Sequence, residues 1–229
     1  MSFNTSKQAA RENKYKAIIF DWDGTLVDST ARIVDAMQMA IVENDMSSLT
    51  DHAIQQIIGL GLPEALKVLW PDITDAQSLK MQKCYVANFS HYSDVDVGFF
   101  AQAHEIFEQL KQMGYVLAVA TGKTRRGLDE MLDGMGVRDV FDITRCADET
   151  ASKPSPRMLQ EILRELNITH QQALMVGDTS FDLDMAKNID MDSIGMTHGA
   201  HESKILTASG AKALCHDLTD LLDWIKKNG

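Results

Sequence analysis

Apolar residues recur along the chain in two rhythms. Compact runs of aliphatic and β-branched residues, Ala17 to Phe20, Tyr115 to Ala120, Val140 to Thr144, Ala173 to Val176 and a less apolar Ser193 to Met196, predict strands. Between the later runs the apolar positions fall three and four apart, as on one face of a helix. Ala103, Ile106, Phe107, Leu110 and Met113 predict one helix, closed by Gly114. Met158, Leu159, Ile162, Leu163 and Leu166 predict another, opened by Pro154 and Pro156. Alternation of strand and helix predicts an α/β fold built on a Rossmann-like, doubly wound parallel sheet.

Residues 29 to 96 depart from this rhythm. Their apolar positions (Ile33, Val34, Met37 and Ile41, then Ala65, Leu66 and Leu69, then Leu79, Tyr85 and Phe89) are helical throughout, with no strand. The expected organisation is an all-helical unit, 28–97, inserted into an α/β core made of 1–27 and 98–229. Such an insertion follows the carboxyl end of the first strand, where open α/β sheets bind ligands. Its two connections, Val27–Asp28 and Asp96–Gly98, are expected to act as a hinge that gates access.

The first strand ends unusually, in Asp21-Trp22-Asp23-Gly24-Thr25. Strands of a parallel sheet are covered on both faces, so charge is tolerated only where the strand leaves the core. Alternation puts Asp21 and Asp23 on one side and Trp22 on the other. Two such carboxylates repel unless a cation or a proton lies between them. A second apolar strand ends in Gly177-Asp178, with Asp182 four residues on, in the first turn of a predicted helix. An oxygen-only cluster of Asp21, Asp178 and Asp182 suits a hard ion, Mg2+ in particular, and disfavours zinc. Other strand ends carry Thr121, whose hydroxyl and neighbouring backbone N–H groups can hold an anion, and Lys153, a point charge suited to phosphate.

These motifs, in this order and spanning almost the whole chain, resemble the haloacid dehalogenase superfamily, and within it the phosphatases with a helical cap after the first strand. The overall look is closest to phosphoglycolate phosphatase and its near relatives. The resemblance implies that Asp21 is the nucleophile, forming an aspartyl-phosphate, and that Asp23 is the acid and base. It implies that Mg2+ is held by the Asp21 carboxylate, the Asp23 carbonyl and Asp178, with Asp182 binding or orienting the metal's waters. Thr121, with Gly122 beside it, and Lys153 would hold the transferring group. The phosphoglycolate branch often carries asparagine after the threonine; this chain has Gly122 and then Lys123. The loop from Gly59 to Leu66 sits where such caps read the leaving group, and offers little charge beyond Glu64 and nearby Lys67.

The expected activity is hydrolysis of a small, phosphoglycolate-like phosphate ester, with a sugar phosphomutase or an idle binding protein on the same fold as alternatives. The net charge of −11 argues against nucleic acid and anionic membrane as partners. The first sixteen residues lack the apolar segment of a secretory signal and no window is long enough to span a bilayer, so a cytoplasmic location is expected. Cys84, Cys146 and Cys215 are widely spaced and read as buried small hydrophobes. Asp28 and Ser29 are expected to cap the first cap helix. The histidines show no metal spacing; His198 is placed at the site rim and the others, including His201, on the surface or in packing.

Overall fold

The computed structural model describes residues 13–229. Strand β1 (Ala17–Phe20) is buried at every position and lies inside a six-stranded parallel sheet. It pairs on one side with β4 (Val116–Thr121), which pairs in turn with β5 (Ile143–Cys146). On the other side follow β6 (Ala173–Gly177), β7 (Asp192–Met196) and β8 (Ala213–Cys215). The order β5-β4-β1-β6-β7-β8 puts the chain reversal at β1, the position at which open sheets form a ligand crevice.

The two-residue period of β1 divides its side chains between two apolar layers. Ile18 and Phe20 join one cluster, beneath α5 (Ala103–Gln112) and α10 (Leu218–Asn228). Ala17 and Ile19 join the opposite cluster, under α7 (Arg157–Leu166) and α8 (Ser180–Lys187). Trp22 returns to the first layer, its ring 5.7 Å from Phe99 and 5.8 Å from Phe141. Helices α6 (Arg125–Gly134) and α9 (Ser203–Ala208) complete the layers.

Between β1 and α5 stands the helical segment: α1 (Thr30–Glu43), α2 (Asp51–Gln55), α3 (Leu62–Leu69), α4 (Asp75–Ala87) and a π-helical turn, Asn88–Tyr92. Its helices surround an apolar cluster of their own, including Met37, Ile41, Ile54, Leu66, Trp70 and Met81. The two chain crossings meet each other. Strand β2 (Val27–Asp28) and strand β3 (Gly98–Phe99) pair antiparallel, and the Phe100 N–H donates to the Leu26 carbonyl at 3.0 Å. A narrow two-stranded ribbon therefore joins the helical segment to the sheet. Among the described residues no helix is long and apolar enough to cross a membrane.

The strand expected at Val140 to Thr144 begins later, at Ile143. Arg138–Val140 instead form a 3-10 turn that tucks Phe141 into the core, so the apolar run is divided between turn and strand. Strands β2, β3 and β8 have no counterpart among the expectations.

Candidate active site

The loop after β1 is shaped by Gly24, whose φ of +79° favours glycine and whose Cβ, if present, would lie 2.3 Å from an Asp178 carboxylate oxygen. This close approach brings the ends of β1 and β6 together. The Thr25 hydroxyl donates to Asp178 Oδ1 at 2.6 Å, and the Ala200 N–H donates to Oδ2 at 2.8 Å. Asp21, Asp178 and Asp182 offer carboxylate oxygens that all lie within 4.8 Å of one another, and all three are buried.

Lys153, fully buried after β5, faces this cluster. Its ammonium lies 2.5 Å from Asp21 Oδ1 and 2.6 Å from Asp182 Oδ1. Asp182 Oδ2 is occupied separately, accepting from the Thr179 N–H at 3.2 Å and its hydroxyl at 2.7 Å in a capping box that starts α8. Asp182 thus serves the helix start and the lysine at once. Asp21 Oδ2 has no hydrogen-bond partner although it is buried.

Burial raises the Asp21 carboxyl well above its ordinary range; Lys153 opposes this, while Asp182 and Asp178 add to it. Burial, with repulsion from Asp182, pushes Asp178 up to about 7 against the hydrogen bonds from Thr25 and Ala200. For Lys153 burial favours the neutral amine, but Asp182 and Asp21 outweigh it and hold the ammonium charged. One lysine does not compensate three carboxylates. The bare Asp21 oxygen and an all-oxygen donor set fit a hard divalent cation such as Mg2+.

Asp23 stands just outside the cluster, 8% exposed. Its Oδ1 accepts from the Ser29 hydroxyl at 2.6 Å and lies 3.1 Å from the Lys123 ammonium, which is itself 4.4 Å from the Phe89 ring centroid. Ser29 does occupy the N-cap position of α1, yet its side chain makes no cap hydrogen bond. The expected capping role fails because Ser29, at φ −118° and ψ −2°, lacks the extended backbone that aims a cap oxygen at the first helix N–H groups, and its hydroxyl donates to Asp23 instead. Asp28 lies exposed in β2.

Thr121 ends β4 fully buried, its hydroxyl accepting from the Lys123 N–H at 3.2 Å. Gly122 follows, against the cap loop. That loop is also tied to the segment before Lys153, through the Gly61 N–H donating to Ser152 Oγ at 2.8 Å.

Ser29, Thr25, Lys123 and His201 have contacts in the site region that no local sequence signal reveals. His201 Nδ1 accepts from the Ser180 N–H at 3.0 Å, and Nε2 lies 3.3 Å from the Gln56 carbonyl of the helical segment. Burial lowers its pKa, more than the Gln56 carbonyl raises it, in keeping with a neutral ring carrying its proton on Nε2. His198 is stacked on Phe100 with centroids 3.9 Å apart and its Nε2 lies 3.1 Å from the Thr25 carbonyl.

With this geometry established, the family model for haloacid dehalogenase-like hydrolases matches residues 18–196. The chain belongs to that family, and within it to the phosphatases. It is 28% identical over 219 residues to a phosphoglycolate phosphatase of Rhodospirillum rubrum, covering 92% of this chain and 90% of the relative. It is 32% identical over 209 residues to a Dickeya dadantii protein named "Probable phosphatase IndB", covering 90% and 91%. Among solved structures, a hydrolase from Pseudomonas syringae superposes with a TM-score of 0.85 at 23% identity, over 93% of this chain and 98% of that one.

Proposed function

We propose that the protein is a Mg2+-dependent phosphomonoesterase acting on a small phosphate ester through an aspartyl-phosphate on Asp21. In this reading the core, 1–27 and 98–229, carries the chemistry and the cap, 28–97, reads the alcohol. The observation that carries it is the buried Asp21 oxygen without a hydrogen-bond partner, beside Lys153 and lining the cavity between cap and core.

Asp21 attacks phosphorus in line, forming a carboxylate O–P bond as the bond to the alcohol oxygen breaks. Asp23 gives its proton to that oxygen and then takes one from the water that cleaves the acyl phosphate, restoring both carboxyl groups. Lys153, Thr121 and the Gly122 backbone hold the equatorial oxygens, with Lys153 also bridging Asp21 and Asp182 and offsetting their mutual repulsion. The Asp21 and Asp178 carboxylates and the Asp23 carbonyl would hold Mg2+, with Asp182 orienting its waters. When bound, the ion supplies positive charge that offsets repulsion between carboxylate and phosphate. The names of the similar proteins make 2-phosphoglycolate the reference substrate.

The test is phosphate release from a panel of esters, with Mg2+ or with chelator, for wild type and Asp21→Asn. Release that requires Mg2+ and disappears in the variant is expected. Retention of turnover by Asp21→Asn would overturn the nucleophile, and silence of the wild type on every ester would overturn the phosphatase reading.

A further inference from the structure

The cavity that starts at Asp21 and Asp23 measures about 470 Å³. Its walls are mainly apolar: Ile33 and Met37 from α1, Ile58 and Leu62 around the cap loop, and Tyr85 with Phe89 at the end of α4. Glycolate's two carbons would leave most of this surface wet, whereas pockets of this size enclose ligands with substantial apolar bodies.

Charge points the same way. Three cations line the cavity, and each already has partners. The Arg32 guanidinium donates to the Phe89 and Val95 carbonyls. Lys123 faces Asp23 and the Phe89 ring, and Arg126 pairs with Glu130 at 2.8 Å. The same lining includes Asp96, which repels a second carboxylate.

We propose, resting on the phosphatase reading above, that the alcohol released is uncharged and carries a ring-sized apolar body packed against Phe89, Tyr85 and Ile58. The phosphoryl end of such an ester stays at Asp21, and its ring replaces water along the cap wall. Discrimination is then set by apolar burial, which separates substrates by an order of magnitude or more when a whole ring is gained.

The experiment compares kcat/KM for 2-phenylethyl phosphate, ethyl phosphate and 2-phosphoglycolate with Mg2+ present. The first two release alcohols of similar acidity, so their ratio reports the ring and not the leaving group's reactivity. At least about tenfold preference for the phenylethyl ester over both others is expected. A smaller ratio, or preference for 2-phosphoglycolate, overturns the inference and leaves the phosphatase reading standing; no release from any ester overturns both. In Phe89→Ala, confirmed as folded by circular dichroism, the phenylethyl-to-ethyl ratio should fall toward one. An unchanged ratio would overturn the assignment of this wall.

Discussion

Gly122 and Leu60 are in contact so close that no side chain fits between them. A Cβ built on Gly122 would stand 2.5 Å from the Leu60 carbonyl oxygen and 2.6 Å from that of Gly59. The residue after Thr121 therefore forms part of the seam on which the cap loop rests. An asparagine there would displace the loop from its present position.

Gly122→Ala should consequently impair catalysis more than folding. The loop must shift by a few tenths of an ångström or more, and misplacement on the ångström scale costs up to about a hundredfold in rate. We expect kcat/KM to fall at least about tenfold while the thermal midpoint moves only a few degrees. Steady-state kinetics beside a thermal melt measure this, and unchanged kinetics would mean that the seam is not required.

Lys153→Met removes an ammonium that contacts two fully buried carboxylates at once. Stranding buried charges in this way costs about 3–5 kcal/mol, so denaturation in chelator should reveal a large loss of stability. Mg2+ should narrow the gap between variant and wild type, because a bound cation compensates the same carboxylates and stabilises the native state. No effect of Mg2+ on the variant would contradict a cation site among Asp21, Asp178 and Asp182.

Lys123→Met leaves Asp23 with the Ser29 hydroxyl but without its ion-pair partner. Loss of positioning for an acid matters most when the departing oxygen needs a proton. Turnover of ethyl phosphate should drop about tenfold or more, and that of p-nitrophenyl phosphate, whose phenolate departs unaided, by much less. Equal losses on both esters would show that Lys123 does not act through Asp23.

Asp192 gives a pH-dependent contribution remote from the site. Burial would raise its carboxyl, but hydrogen bonds from Lys14, Lys212 and Tyr15 prevail and hold it well below the usual range. The folded pKa lies below the unfolded value of about 3.9, so the stabilisation is complete above that pH and fades as pH falls toward the folded value. Asp192→Asn should cost about 1 kcal/mol at pH 7, a modest figure because the pair is partly solvated. Urea titrations at pH 7 and pH 3 should show the difference shrinking in acid; a difference that grew would refute the assignment.

How far these features were legible from sequence depends on whether they are local. Strand β1 has the same limits in sequence and structure, Ala17–Phe20, because four consecutive buried residues at the centre of a sheet leave an uninterrupted apolar run. The stripe of α7 and the all-helical character of 29–96 were legible from spacing for the same reason. Strands of two and three residues, β2, β3 and β8, are too short for any periodicity. Aspartates at strand ends announce a charged cluster, since a capped turn explains one acid beside an apolar run but not several. Their partners do not announce themselves: Lys123 reaches Asp23 across 100 residues of chain and His201 reaches Gln56 across 145, through folding alone. Ser29 was misleading because its type suits a helix cap, whereas its backbone conformation, which turns the hydroxyl to Asp23 rather than to the helix N–H groups, is set only by the folded loop.

The ribbon of β2 and β3 has a consequence for how the molecule is controlled. Asp23 bridges to Val27 at its base, and Ser29, which grips the Asp23 carboxylate, begins the helix on its far side. The ribbon that carries the helical segment and the residues that hold the Asp23 carboxylate are thus one piece of chain. On the function proposed above, a swing about this ribbon would carry Ser29 with it and alter its hold on Asp23, so that admitting a substrate and arming the acid would be two readings of a single mechanical coordinate.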